Sequence, residues 1–251
     1  MLTVCDHAAM TKISRGNRTR TLAAAALLSA ALAIAAGTPL LDAPGLVFVF
    51  KPLTTLLIII FAWQRGRVSE HPQPVVRRWV LIGLVWSLAG DIALMWPKEG
   101  FLPGLLSFLL AHLAYLWAFT RSHRLAVRPV TFVFYAVVAG VILWQLWPGV
   151  PGPLRLPVAA YVVCLAAMAA QAAALWRVGV PRGAVLALGG ALFVASDALL
   201  ATNKFGAPLP LAGLWILATY WAAQWCIAAH LSPSERSDPS DPSEPGAPRQ
   251  A

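Results

Sequence analysis

Eight apolar runs, each closed by turn-forming residues, leave this chain few folds to choose from. They cover 21–41, 46–63, 77–96, 101–119, 129–147, 154–176, 183–201 and 209–231. About 20 residues at ~1.5 Å per residue cross the ~30 Å hydrocarbon core of a bilayer. The breaks between runs (DAPG, QRGRVSEHPQP, WPKEG, RSHRLAVRP, WPGVPGP, RVGVPRG and NKFGAPLP) are rich in turn formers. Lipid offers no partner for backbone N–H and C=O groups, so each run must pair its own as a helix. A hydrophobic fraction of 59% with only 12% charge excludes an ordinary soluble globule. The expected fold is all-α, a polytopic membrane protein of eight transmembrane helices. A transmembrane domain at 21–231 lies between a basic N-terminal tail at 1–20 and a C-terminal tail at 232–251.

Charge sets the orientation. The N-terminal tail, the even-numbered loops and the C-terminal tail hold fifteen cations: Lys12, Arg15, Arg18, Arg20, Arg65, Arg67, Arg77, Arg78, Arg121, Arg124, Arg128, Arg177, Arg182, Arg236 and Arg249. The odd-numbered loops hold only Lys98, Arg155 and Lys204. Under the positive-inside rule both termini are cytoplasmic, in the plasma (inner) membrane of what reads as a bacterial, Ala/Arg/Pro-rich chain. The net charge of +9 is this topology signal rather than a nucleic-acid surface. The first run ends in AIAAG, which also resembles a signal-peptide cleavage site. Its removal would invert the charge bias, so it reads as a retained span. Met10 is an alternative start. The tail SPSERSDPSDPSEPGAPRQA has nothing worth burying and reads as disordered. Cys5, Cys164 and Cys226 have no pairing or metal-binding spacing, and the latter two read as structural thiols.

Against this background two acids stand out. Of ten carboxylates, only Asp91 (SLAGDIALMW) and Asp197 (FVASDALLA) lie inside apolar runs. An ionised carboxylate in hydrocarbon costs a few kcal/mol or more unless paired or protonated, so each marks a candidate functional site. One cation, Lys51, lies well inside a span. The topology puts it ~7 Å below the outer surface at ~1.5 Å per residue, the depth reached by both acids. One lysine cannot neutralise two carboxylates, so one acid is expected to hold a proton. A protonated acid beside an ionised one suits general acid–base chemistry. A Lys–Asp bridge that merely pins helices together is the plainer alternative.

Polar groups on neighbouring runs complete the candidate site. Ser87 lies one turn before Asp91 and is expected to donate to it. Thr54 and Thr55 stand near Lys51. Helix 4 carries Phe108, His112, Tyr115 and Phe119 on one face. His112 is ~16 Å from the outer end by the same rise. Ser196 precedes Asp197, and Tyr220 and Gln224 lie one turn apart in helix 8. Hydrogen bonds between helices are the structural alternative for these residues. One deep histidine and two acids match a zinc site poorly, and no GxSxG elbow or phosphate-binding glycine loop is present. No metal or cofactor is expected. Helices 3 and 7 each carry a small residue plus Asp near their outer end, a faint echo of a parallel internal repeat.

These motifs carry a resemblance. KP in helix 2, SLAGD in helix 3, Phe108-x₃-His112-x₂-Tyr115 in helix 4, FxxSD in helix 7 and YxxAQ in helix 8 resemble the YhhN family over about 46–231. The resemblance implies an eight-helix membrane hydrolase of the lysoplasmalogenase type. Such an enzyme cleaves the vinyl ether of a lysophospholipid to a fatty aldehyde and glycerophosphoethanolamine or glycerophosphocholine. Asp91 and Asp197 match its acidic pair. Substrate contacts would fall to Lys51, Ser87, His112, Tyr115, Ser196, Tyr220 and Gln224.

The chemistry suits the residues. Vinyl ether hydrolysis needs a proton donor and a carboxylate to stabilise positive charge and guide water, and either aspartate could be the donor. The partners implied are a lysophospholipid and the membrane itself. A proton-coupled transporter would use similar intramembrane groups, and a lipid-binding scaffold is a third reading. The orientation is tested by reporter fusions. A fusion after Trp96 should report periplasm and one after Arg124 cytoplasm, and the reverse pattern would refute it.

Overall fold

The computed structural model describes residues 2–39, 41, 43–65, 74–96, 99–121 and 123–231, with side chains from residue 18 onward. The tail at 232–251 and the loop charges Arg67 and Lys98 lie outside the described residues, as do the side chains of Lys12 and Arg15. Eight α-helices follow in order: α1 (Leu2–Ala36), α2 (Pro44–Arg65), α3 (Pro74–Ala93), α4 (Phe101–Phe119), α5 (Pro129–Leu146), α6 (Arg155–Arg177), α7 (Gly183–Phe205) and α8 (Ala212–His230). Two short 3₁₀ turns join α5 to α6. No strand occurs among the described residues. The protein is an all-α, multi-pass membrane protein.

Six of the helices are long and apolar enough to cross a membrane: α2, α4, α5, α6, α7 and the stretch Arg18–Ala36 of α1. The two that fall short, α3 and α8, are 20 and 19 residues long. Length is therefore not what separates them. α3 carries Arg77, Arg78 and Asp91, and α8 carries Tyr220, Gln224 and three tryptophans. Both lose apolar character to the same polar residues that single them out chemically.

Two boundaries differ from the sequence reading. α1 begins at Leu2, inside the stretch expected as a polar tail. α7 runs on to Phe205, one turn past the expected end at 201. The Thr202 hydroxyl donates back to the Ala198 carbonyl at 2.7 Å, and the helix stops only where the Gly206 N–H closes on the Thr202 carbonyl. That extra turn carries Asn203 and Lys204 on the helix rather than in a loop.

Packing forms a closed ring of six helices. α2 meets α3, α3 meets α4, α4 meets α6, α6 meets α7, α7 meets α8, and α8 returns to α2. α1 packs outside the ring on α2 and α8, and α5 packs outside on α6 with a smaller contact to α7. Tyr135 is the one buried residue of α5. The ring interior is filled by aromatic and aliphatic side chains, among them Tyr115, Phe61, Phe119, Phe193, Leu84 and Ile58. Large apolar residues such as Val130, Trp144 and Leu156 point outward, as a lipid-solvated surface requires.

Small residues permit the closest crossings. A Cβ at Gly83 would sit 2.3 Å from the Tyr115 ring, and one at Gly90 would sit 2.5 Å from the Phe108 ring. The second glycine precedes Asp91 directly, so the α3–α4 contact also sets the depth of that acid. Gly140 on α5 faces nothing within 4 Å. Gly83→Val should therefore destabilise the protein by about 1–3 kcal/mol through overpacking, while Gly140→Val should be neutral. Thermal unfolding in detergent measures both, and equal midpoints would contradict the close α3–α4 crossing.

Candidate active site

Asp91 lies in the last turn of α3 and is 2% exposed. Three donors from two other helices converge on it. Lys51 Nζ of α2 is 3.8 Å from Oδ1. Thr55 Oγ1, one turn further along α2, donates to Oδ2 at 2.6 Å. The Tyr220 hydroxyl of α8 donates to the same oxygen at 2.8 Å.

The direction of these bonds is set from behind. Trp221 Nε1, which can only donate, reaches Thr55 Oγ1 at 3.2 Å, leaving the threonine proton for Asp91. Gln224 Nε2 donates to the Tyr220 hydroxyl at 3.2 Å, so that phenol too gives its proton to the acid. Gln224 Oε1 accepts from Tyr115 at 2.7 Å, and Ser87 lies 3.4 Å behind Tyr115. Both hydroxyls therefore give their protons to Asp91 Oδ2, while Oδ1 faces the Lys51 ammonium.

Asp197 on α7 has a sparser setting. It is half-buried. The Tyr161 hydroxyl of α6 donates to its Oδ2 at 2.5 Å. It pairs with no cation among the described residues. The pairing echoes that of the first acid. Thr55 precedes Asp91 by 36 residues, and Tyr161 precedes Asp197 by 36. The interval from Asp91 to Asp197 is also the interval from Gly83 to Gly189, and both glycines lie at close crossings onto the following helix. The faint internal echo thus matches α2 with α6 and α3 with α7, so that α2–α3 and α6–α7 each supply one donor and one acid.

The two acids share a cavity of about 240 Å³. Its polar wall is Lys51, Asp91, Ser196, Asp197, Asn203, Lys204 and Tyr220, and Phe101, Phe108 and Leu94 form part of its apolar wall. Lys51 and Lys204 give it two cations. Beyond Asp197 it adjoins a second space of about 90 Å³, a groove lined almost wholly by apolar side chains of α4, α5, α6 and α7. Leu94, Phe101, Phe108, Asp197 and Leu200 belong to both walls. A wider depression of about 570 Å³ by Trp63, Arg77 and Trp86 contains no acid.

The remaining candidates fall in three places. Tyr220 and Ser196 line the cavity, although the Ser196 hydroxyl is engaged by the Ile216 carbonyl at 3.0 Å. Tyr115 and Gln224 stand behind the cavity as the second rank of the Asp91 network. Ser87 is not on Asp91 as expected, because its position on α3 turns it toward the Tyr115 hydroxyl and Thr55 takes its place. His112 is fully buried off the cavity wall, its ring packed edge-on against Tyr115, Tyr161 and Phe193.

Four contributors escaped the sequence reading: Tyr161, Trp221, Asn203 and Lys204. Tyr161 had a usable signal in the scarcity of its type. The chain has only four tyrosines, and Tyr115, Tyr161 and Tyr220 all serve the two acids.

Comparison with known proteins now bears on this geometry. The human (Homo sapiens) lysoplasmalogenase TMEM86B is 39% identical over 191 residues, covering 75% of this chain and 77% of that protein. The pig (Sus scrofa) lysoplasmalogenase TMEM86B is 39% identical over 160 residues, 62% of this chain and 64% of the relative, so the alignment spans slightly under two thirds of that protein. A lysoplasmalogenase of Mycobacterium tuberculosis is 32% identical over 148 residues, 54% of this chain and 53% of the relative. No solved structure matches. The YhhN family model matches residues 46–231, which contain all but the first two residues of α2, the whole of α3 to α8, both acids and all of their donors. The chain belongs to the YhhN family.

Proposed function

We propose that this protein is an integral membrane lysoplasmalogenase. It hydrolyses the vinyl ether of a lysoplasmalogen to a fatty aldehyde and glycerophosphoethanolamine or glycerophosphocholine. We place it in a bacterial plasma membrane with eight spans, both termini cytoplasmic and the acids in the outer leaflet. The observation that carries the reading is that Asp91 and Asp197 face one cavity with unlike partners. Asp91, ringed by a cation and two directed hydroxyls, suits the carboxylate. Asp197, with one phenol and an adjoining apolar groove, suits the proton donor.

The reaction then runs as follows. Asp197 gives its proton to the alkene carbon remote from the ether oxygen, and the double-bond electrons form the new C–H bond. The adjacent carbon becomes an oxocarbenium ion, whose positive charge the Asp91 carboxylate stabilises across the cavity. Water adds to that carbon and returns a proton to Asp197. The resulting hemiacetal loses its glycerol oxygen as an alcohol, leaving the aldehyde. One water is consumed and no proton is used up. Lys51 and Lys204, on the same wall, suit a phosphodiester. Lys51 thus has two anions to serve, Asp91 and the headgroup.

Turnover of a lysoplasmalogen by purified protein in detergent, with aldehyde read by mass spectrometry, tests the proposal. A transporter or scaffold would yield no product. Asp91→Asn and Asp197→Asn keep shape but remove charge and proton, so each should lose at least ~10²-fold in kcat per folded molecule. Near-normal turnover in either folded variant would remove that residue from the mechanism. Lys51→Met should raise KM more than it lowers kcat, since headgroup attraction differs little between ground and transition states. A purely structural bridge predicts instead a loss of ~3–5 kcal/mol in stability, with activity tracking folded protein.

Tyr161→Phe examines the less supported acid. It removes a hydrogen bond that becomes charge-assisted once Asp197 has given up its proton, a contact then worth about 1.5–3 kcal/mol. The expected result is a fall in kcat of roughly 10-fold or more with KM and thermal midpoint unchanged. An unchanged kcat would show that Tyr161 does not position Asp197 for the reaction.

A further inference from the structure

The groove beyond Asp197 is assigned no role by the chemistry at the acids. Small residues form part of its lining, Ala139 on α5, Ala166 on α6 and Ala198 and Ala201 on α7. Asp197 is the one ionisable carboxylate or cation on its wall, and the rest is aliphatic or aromatic. It adjoins the acid cavity, with which it shares five wall residues.

Its outer wall is unlike the others. α5 stands outside the six-helix ring, holds chiefly to α6, and buries only Tyr135. The groove therefore lies between the ring and its most lipid-exposed helix. Along α5 the lining runs from Tyr135 to Leu146, roughly 16 Å at ~1.5 Å per residue. One leaflet of a ~30 Å hydrocarbon core is about as deep. Space of this length and polarity suits part of one hydrocarbon chain passing beside Asp197.

We propose that this groove binds the hydrocarbon chain of the lysolipid substrate, admitted sideways from the bilayer past α5. The assignment rests on the lysoplasmalogenase reading for its substrate class. It also separates the products by phase. The aldehyde returns to lipid along the groove, while the glycerophospho-alcohol leaves through the polar cavity beside Lys204.

A non-hydrolysable alkyl-ether lysophosphatidylethanolamine with a photoreactive diazirine on its chain tests the groove without needing turnover. With purified protein in lipid nanodiscs, adducts should map to α5, α6 and α7. Adducts confined to other helices would overturn the proposal. Ala139→Trp, filling the groove, should cut this labelling and raise KM for long-chain vinyl-ether substrates. Displacing two methylenes corresponds to roughly a tenfold loss, from about 0.8 kcal/mol per buried methylene. Short-chain substrates should change by less than about twofold. A loss independent of chain length would overturn the assignment even if the variant folds. Should the wild-type protein label in the groove yet hydrolyse no vinyl ether of any length, the groove would stand and the proposed reaction would fall.

Discussion

An ionised carboxylate in hydrocarbon is the most expensive group this chain contains, and three helices are arranged to hold it. Asp91 on α3 draws Lys51 and Thr55 from α2 and Tyr220 from α8. The three groups reach one carboxylate from two other helices, so α2, α3 and α8 cannot slide or rotate independently without breaking those contacts. Trp221 and Gln224, both on α8, then fix the proton directions of Thr55 and Tyr220. The α2–α8 contact that closes the six-helix ring is thus made partly by the groups that satisfy this one acid.

Asp197 shows what the same geometry does with less. α6 and α7 repeat the relation of α2 and α3, with a donor 36 residues ahead of the acid in each case. The repetition stops there. No lysine pairs with Asp197 among the described residues, and its side chain borders the apolar groove as well as the cavity. Two structurally matched acids consequently sit in unlike surroundings, which is the condition under which one works as anion and the other as proton donor.

The arrangement of spaces follows from the same ring. Polar cavity and apolar groove meet at Asp197 because α7 faces both the ring interior and α5. For the proposed substrate, a charged head with one chain, the junction would fall at that point. The extra turn of α7 places Lys204 and Asn203 at the polar end, and the small side chains of α5, α6 and α7 leave room at the other.

Much of this was open to a reader of the sequence alone. Runs of apolar residues closed by Gly, Pro and charge dictated eight helices, and their bounds agree within a few residues except at α1 and at the end of α7. Rarity drew attention to Asp91, Asp197 and Lys51, because charge in hydrocarbon is too costly to be incidental. Rotation about each helix axis was not legible. In a soluble protein the apolar stripe says which face turns inward, but lipid is as apolar as the protein interior, so that stripe fades. The sequence put Ser87 on Asp91 and Thr55 near Lys51, and only the packed ring turned Thr55 toward the acid and Ser87 toward Tyr115. Tyr161 met Asp197, and the groove opened beneath α5, for the same reason. Those contacts join residues far apart in sequence, and tertiary packing alone brings them within a hydrogen bond.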